Sequence, residues 1–457
     1  METKHIDLEA RSPWSSHNDK KTVSIRPAQS PIRGTVAVPG SKSLTNRALI
    51  IAALAEGRSE LQGILRSDDS YWCIDALTKL GLKVSVDGDT AFVEGCGGVW
   101  PNREAELYVG AAGTVARFLP GALATGQGEW SLRGSKRMSE RPLAPLLKSL
   151  TSLGARIDYG TSAAHSLPFT LHADGLRGGE VRISGSTSSQ FISGLLLAAP
   201  YAKEQLTVRI EGEVVQRDYV QMTLDMMAAF GIGNEAQASH DDGQSITVPS
   251  GRYQARAYRL EPDISTCCYF WAAAALTGGC VRTVGVDASR ISQPDIEMLD
   301  VLEQMGCTVV KGDDFVEVQG PEKLNGGFTA IMKKWSDQTL TLAALAVFAD
   351  GPITMTDAAH IRQHECDRIA AICEELGKLG IRVTEREDGL TVYPGEPVPT
   401  LVDSHDDHRM AMALSLIGLK TPAIRITDPG CVSKTCPGFF EILASLGAGV
   451  EFEAGRE

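Results

Sequence analysis

A short polar opening runs repeatedly into an apolar stretch rich in Ala and Leu along this chain. The pattern occurs six times: SKSLTNRALIIAALAEG from Ser41, GAAGTVARFLPGALATG from Gly110, GSTSSQFISGLLLAAP from Gly185, EPDISTCCYFWAAAALTGG from Glu261, SDQTLTLAALAVFADG from Ser336 and HDDHRMAMALSLIGL from His405. Each apolar stretch predicts a helix, and each is followed by a second helical pattern that ends in Gly81, Gly154, Gly231, Gly306, Gly380 or Gly447. The spacing is roughly 67 to 77 residues, a period that marks an internal repeat. Between the helices, alternating segments such as LKVSVDGDTAFVEG, CTVVKGDDFVEVQG and IRVTEREDGLTVYPG read as strands and hairpins with Asp-Gly turns. One unit is therefore strand, helix, strand, helix, hairpin, with right-handed β-α-β crossovers.

A single unit leaves one helix face bare, so the units must assemble. A chain of 457 residues exceeds one ordinary core, which predicts two groups of three units. The first group is expected at 41–259. The second takes 260–457 together with the strand VSIRPAQSPIRGTVAVPG over 23–40. The two crossings, near Gly40 and Leu260, are expected to act as a hinge. Residues 1–22 are polar, lack the apolar core of a signal peptide and predict a disordered leader.

Composition narrows the function classes. Net charge is −13 at pH 7, which argues against a general nucleic-acid binder but not against a small anionic substrate. No apolar run reaches the ~18 residues a membrane span needs. The ten cysteines include no CxxC pair, so no zinc site is expected, and most lie in apolar runs as reduced core residues of a cytoplasmic protein.

The candidate chemistry sits where the helices open, because unpaired backbone N–H groups and the positive dipole end favour anions there. In PGSKSLTNR, Ser41 or Ser43 caps a helix, and Lys42, Ser43 and Arg47 supply cation, hydroxyl and cation within two turns. In GAAGTVARF, Gly113 permits close backbone approach and Thr114 is a candidate cap. RMSERP places Arg141 before Pro142, a candidate first helical residue, and arginine suits bidentate recognition of carboxylate or phosphate. Ser188, Ser189 and Gln190 supply neutral donors, and QRDY adds Arg217 and Tyr219. In the second half, Asp337 precedes an apolar helix. HIRQHECDR carries His364, Glu365 and Arg368 without metal-ligand spacing, Arg409 enters a helix in DDHRMA, and DPGCVSKTCP offers Lys434. Lys42, Arg141, Arg368, Arg409 and Lys434 come from five distant places at analogous points of the repeat. Convergence on one polyanion accounts for this better than independent decoration, and Asp337 and Glu365 are then carboxylates among cations, available for proton transfer.

These motifs together resemble the 5-enolpyruvylshikimate-3-phosphate synthase family, over nearly the whole chain after Val23. PGSKSLTNRA, SDD at 67–69, AGT, RMxERP, SSQF, DHRMA and the DPGC…KT…P ending carry the resemblance. It implies an α/β fold of two domains, each of three βαβαββ repeats, in the inside-out α/β barrel of enolpyruvyl transferases. It implies transfer of the enolpyruvyl group of phosphoenolpyruvate to the 5-hydroxyl of shikimate 3-phosphate, without metal or organic cofactor, by a monomer. Lys42, Gly113, Arg141, Gln190, Arg368, Arg409 and Lys434 match the family's phosphoenolpyruvate set. Lys42, Ser43, Arg47, Ser188, Ser189, Gln190, Arg217, Tyr219 and Asp337 match its shikimate phosphate set. Asp337 and Glu365 match its acid/base carboxylates. Four positions depart from the pattern: His364 stands for Lys, Ala111 for Asn, His360 for Asn and Gln216 for Ser or Thr. They motivate an alternative, a homologue diverted to another shikimate-like or cyclitol acceptor, by transfer or elimination. A non-catalytic ligand-binding relative is a lesser alternative, because such a protein has no need of both carboxylates.

Overall fold

The computed structural model describes residues 6–233 and 244–455. Two compact units are found, one of Gly40–Leu260 and the other of Met1–Pro39 with Glu261–Glu457, so the chain passes between them at Pro39–Gly40 and Leu260–Glu261.

In the unit Gly40–Leu260, the repeat is clearest where Glu104–Tyr108 and Gln127–Arg133 pair in parallel across the helix Gly113–Ala124. The helix Ala144–Ser152 then leads into the antiparallel strands Arg156–Asp158 and Phe169–Asp174. Gly179–Ser184 and Leu206–Glu211 repeat the parallel pair across Ser189–Ala198. The first repeat takes its leading strand from the far end of the unit, Ala257–Arg259, which runs parallel to Glu56–Gln62.

The second unit contains three four-stranded sheets built the same way, around the helices Ile264–Thr277, Thr339–Ala346 and His408–Gly418. The stretch expected as one strand over 23–40 is two. Lys20–Arg26 lies between Ile424–Thr427 and Gly449–Ala454, whereas Arg33–Ala37 joins a different sheet beside Cys280–Val284. Pro27 and Pro31 divide them, since proline removes a ladder donor and restricts the residue before it. The leader is also corrected. Residues 6–19 are described and folded against this unit: Leu8–Ala10 forms a 3-10 turn, Arg11 is buried in ion pairs and His17 stacks on Phe452 at 4.3 Å. Met1–His5 of that leader lie outside the described residues.

The six Ala/Leu helices are buried, with every residue of Gly113–Ala124, Thr339–Ala346 and His408–Gly418 out of solvent. A helix apolar all round can only be a core helix. The second helices end alike. Gly81, Gly154, Gly231, Gly306, Gly380 and Gly447 all have positive φ, between 80° and 110°. The next residue's N–H returns to a carbonyl five back, as in Leu82 to Leu77 and Ile381 to Leu376. This αL stop is why glycine closes each pattern.

A paired substitution separates the conformational cost from packing. At Gly380 an added Cβ meets nothing nearer than 3.9 Å, so Gly380→Ala costs about 1 kcal/mol through its φ alone. At Gly377, inside the helix with nothing within 4 Å, Ala stabilises by about 0.5–1 kcal/mol. Urea unfolding should show the opposite signs, and equal shifts would refute the assignment.

Candidate active site

Within Gly40–Leu260, Ser41 caps the helix Lys42–Leu54 by accepting from the Leu44 N–H, which places Lys42 on its first turn. Lys42 Nζ lies 3.8 Å from Asp69. One helical turn on, Arg47 is only 1 % exposed. It donates from Nε to Thr223 Oγ1 at 2.7 Å, from Nη1 to the Ser43 carbonyl at 2.9 Å and from Nη2 to Ser193 Oγ and the Tyr219 carbonyl, both at 3.3 Å. Its guanidinium also lies over the Phe118 and Tyr219 rings. These partners are all neutral, and burial draws its pKa down to about 10. Arg47 thus links four helices as a buried guanidinium among neutral hydrogen-bond partners.

Gly113 opens its helix without a side-chain cap. Thr114, a candidate cap in the sequence, lies inside the helix instead and accepts from Asn46 Nδ2 at 2.7 Å. A Cβ on Gly113 would sit 2.9 Å from Arg141 Nη1 and 3.1 Å from Arg117 Nη1, so two guanidiniums crowd this helix start. Arg117 was not singled out in the sequence. Its signal was a lone cation in an apolar helix, which must find a partner: Nη1 donates to Gln190 Oε1 at 2.7 Å. That bond orients the Gln190 amide with Nε2 as its donor end. Ser188 caps the helix Ser189–Ala198 by accepting from the Gln190 N–H. Arg217 is exposed at the entry to Asp218–Ala229, while Tyr219 packs against Arg47. Pro142 does not start a helix. Arg141 ends the short helix Lys136–Glu140, and Pro145 takes the early position in Ala144–Ser152.

In the other unit, one continuous ion network joins the candidates. Arg409 Nη2 donates to Asp337 Oδ2 at 3.0 Å, and Arg368 Nη1 donates to Asp337 Oδ1 at 2.9 Å. Arg368 Nη2 reaches Glu365 Oε2 at 2.8 Å, and Lys434 Nζ holds Glu365 Oε1 at 2.9 Å. Beneath them Asp407, fully buried, takes Arg368 Nε at 2.7 Å and caps the helix carrying Arg409. Asp407 was missed because a carboxylate one residue before a helix is usually only a cap. Asp337 is not a cap, because Ser336–Gln338 forms a 3-10 turn and both its oxygens face arginines. Arg368 and Arg409 are both held above the ordinary arginine range by these carboxylates, despite burial.

The expected match of all five cations to helix entrances needs correction. Lys42, Arg368 and Arg409 stand in the first turn of a helix, whereas Arg141 and Lys434 lie in the turns that precede one.

His364 Nδ1 is 3.1 Å from Arg368 Nη1 and 3.7 Å from Asp337 Oδ1. A guanidinium only donates, so Nδ1 is the acceptor and the ring is neutral with its proton on Nε2. Burial and the Arg368 charge push its pKa well below the usual histidine value. His360, lowered mainly by burial, shares a 2.7 Å hydrogen bond with Ser336 Oγ. Among the described residues, Glu374, Glu375 and His405 are close enough to hold a metal, but Lys378 bridges both glutamates at 3.0 and 2.8 Å and occupies the cation position. No helix of the described residues is long and apolar enough to cross a membrane.

The His364 assignment carries a sign. A histidine kept neutral by the fold stabilises it above the unfolded pKa of about 6.5 and loses that contribution as pH falls. The wild-type melting temperature should therefore drop more between pH 7.5 and 5.5 than that of His364→Gln. Equal acid slopes would contradict the buried neutral ring.

Comparison with known proteins adds independent findings. The model of the family described as EPSP synthase (3-phosphoshikimate 1-carboxyvinyltransferase) matches residues 27–443. The chain is 52% identical over 452 residues to the 3-phosphoshikimate 1-carboxyvinyltransferase 2 of Halalkalibacterium halodurans, covering 98% of this chain and 99% of that relative. It is 42% identical to the 3-phosphoshikimate 1-carboxyvinyltransferase of Trichormus variabilis, covering 92% and 97%. A solved EPSP synthase from Acinetobacter baumannii superposes with a TM-score of 0.77 at 26% identity, over 94% of this chain and 100% of that one.

Proposed function

The chain belongs to the EPSP synthase family, and from that premise we propose that it transfers the enolpyruvyl group of phosphoenolpyruvate to the 5-hydroxyl of shikimate 3-phosphate, releasing phosphate. The observation that carries this reading is the pairing of two carboxylates with three cations in one network: Asp337 and Glu365 held by Arg368, Arg409 and Lys434. An anion-binding module needs the cations, but not two carboxylates poised among them. The names of the relatives favour this acceptor over another shikimate-like or cyclitol one.

The reaction assigns work to both carboxylates. The acceptor oxygen bonds to C2 of phosphoenolpyruvate while its proton goes to Asp337, and C3 receives a proton from Glu365. C3 then returns a proton to the Glu365 carboxylate, the double bond re-forms, the C2–O bond to phosphate breaks, and the proton held by Asp337 leaves with the phosphate. Lys42, Arg141, Arg368, Arg409 and Lys434 are the cations assigned to the phosphate and carboxylate of phosphoenolpyruvate. Ser43, Arg47, Ser188, Ser189, Gln190, Arg217 and Tyr219 bind the phosphate and ring of the acceptor. His364 adds no positive charge near neutral pH and offers Nε2–H as a donor. On the same reading the enzyme is a cytoplasmic monomer that uses no metal or organic cofactor and binds neither nucleic acid nor membrane.

Purified protein supplied with both substrates should release inorganic phosphate. Glu365→Gln should lower kcat by about 10²–10⁴-fold, while phosphoenolpyruvate binding, measured by calorimetry, stays within a few-fold. Unchanged turnover would remove Glu365 from proton transfer, and an inactive wild type would remove the reaction itself.

A further inference from the structure

The segment ahead of Lys20 has no place in the proposed chemistry, yet it is built into the unit that carries Lys434. The Arg11 side chain is 8 % exposed, and its Nη2 bridges Asp406 Oδ1 at 2.9 Å and Asp428 Oδ2 at 2.6 Å. Asp406 directly precedes Asp407, which holds Arg368 and caps the helix of Arg409. Asp428 directly precedes the 3-10 turn Pro429–Lys434. Five residues beyond Arg11, the Ser16 N–H donates to Ser433 Oγ at 2.9 Å, and Ser16 Oγ donates to the Pro437 carbonyl at 2.6 Å. The contact is close throughout: a Cβ on Gly430 would lie 3.0 Å from Asn18 Oδ1 and 3.3 Å from the Ser16 carbonyl.

Both turns that Arg11 joins are backbone-strained. Asp406 has φ of +53° and Asp428 of +46°, a region that residues other than glycine seldom adopt. Such conformations persist only where surroundings over-determine them. Here one guanidinium bridges two acidic groups that otherwise repel each other, their pKa values pushed up by burial, Asp428's to about 7, while Ser16 fixes the far end of the Lys434 turn.

We propose that the N-terminal segment is a brace for the active centre, with Arg11 as a positioning residue that sets Lys434 and the entry to the Arg409 helix. The inference rests on the proposed function, because Lys434 and Arg409 are there assigned to phosphoenolpyruvate. Arg11 itself touches no reacting atom.

The test uses the full chain carrying Arg11→Ala, Arg11→Lys or Ser16→Ala, with steady-state kinetics for each substrate and hydrogen exchange over 429–437. Arg11→Ala should raise KM for phosphoenolpyruvate by about tenfold, leave KM for shikimate 3-phosphate within twofold and speed exchange over 429–437. Arg11→Lys should recover most of the affinity, which a loss of general stability does not explain. Ser16→Ala gives a milder version of the same pattern and serves if Arg11→Ala does not fold. A folded variant with KM for phosphoenolpyruvate within twofold of wild type overturns the brace. If wild type turns over neither substrate, the functional reading falls, and exchange alone decides: unchanged protection over 429–437 overturns the brace and faster exchange supports it.

Discussion

The structure depends on the complete burial of its Ala/Leu helices. A helix surrounded by core has no solvent face on which to carry chemistry, so its polar residues collect in the first turn and in the loops leading there. Lys42 and Arg409 occupy such first turns, and Gly113 and Ser189 begin two more. The same burial makes each charge there costly unless paired. That cost governs what the polar residues must do.

The two units meet it differently. In Glu261–Glu457, the carboxylates of Asp337, Glu365 and Asp407 lie against Arg368, Arg409 and Lys434, three acids with three bases. In Gly40–Leu260, the hydrogen-bond partners of Arg47 are neutral, and Arg117 and Arg141 crowd the Gly113 helix start. The first arrangement suits proton transfer among fixed charges. The second suits recognition of a dianionic phosphate. In the reaction proposed, the proton transfers at both substrates fall to Asp337 and Glu365 of the first arrangement.

The period of the apolar stretches and the glycines closing each second helix made the repeat architecture legible, because both reflect local backbone and burial rules. The position of Asp337, Glu365 and Arg368 near one another was also foreshadowed by motif and resemblance. What escaped the sequence depends on contacts between distant segments. Asp407 looks like nothing more than a cap until Arg368 is seen against it, Arg117 looks like a misplaced charge until Gln190 is found, and Thr114 looks like a cap until Asn46 takes its hydroxyl. The polar composition of the first residues suggested a disordered leader, since no periodicity announces that Arg11 and Ser16 find partners some four hundred residues away. One strand over 23–40 became two because the prolines at 27 and 31 outweigh the β-forming residues around them.

The most direct measurement is a crystal structure of the Glu365→Gln protein with shikimate 3-phosphate and phosphoenolpyruvate bound. The account requires phosphoenolpyruvate within hydrogen-bonding reach, about 3 Å, of Arg368, Arg409 and Lys434, with its C3 facing residue 365. A phosphoenolpyruvate bound away from these three cations would contradict it.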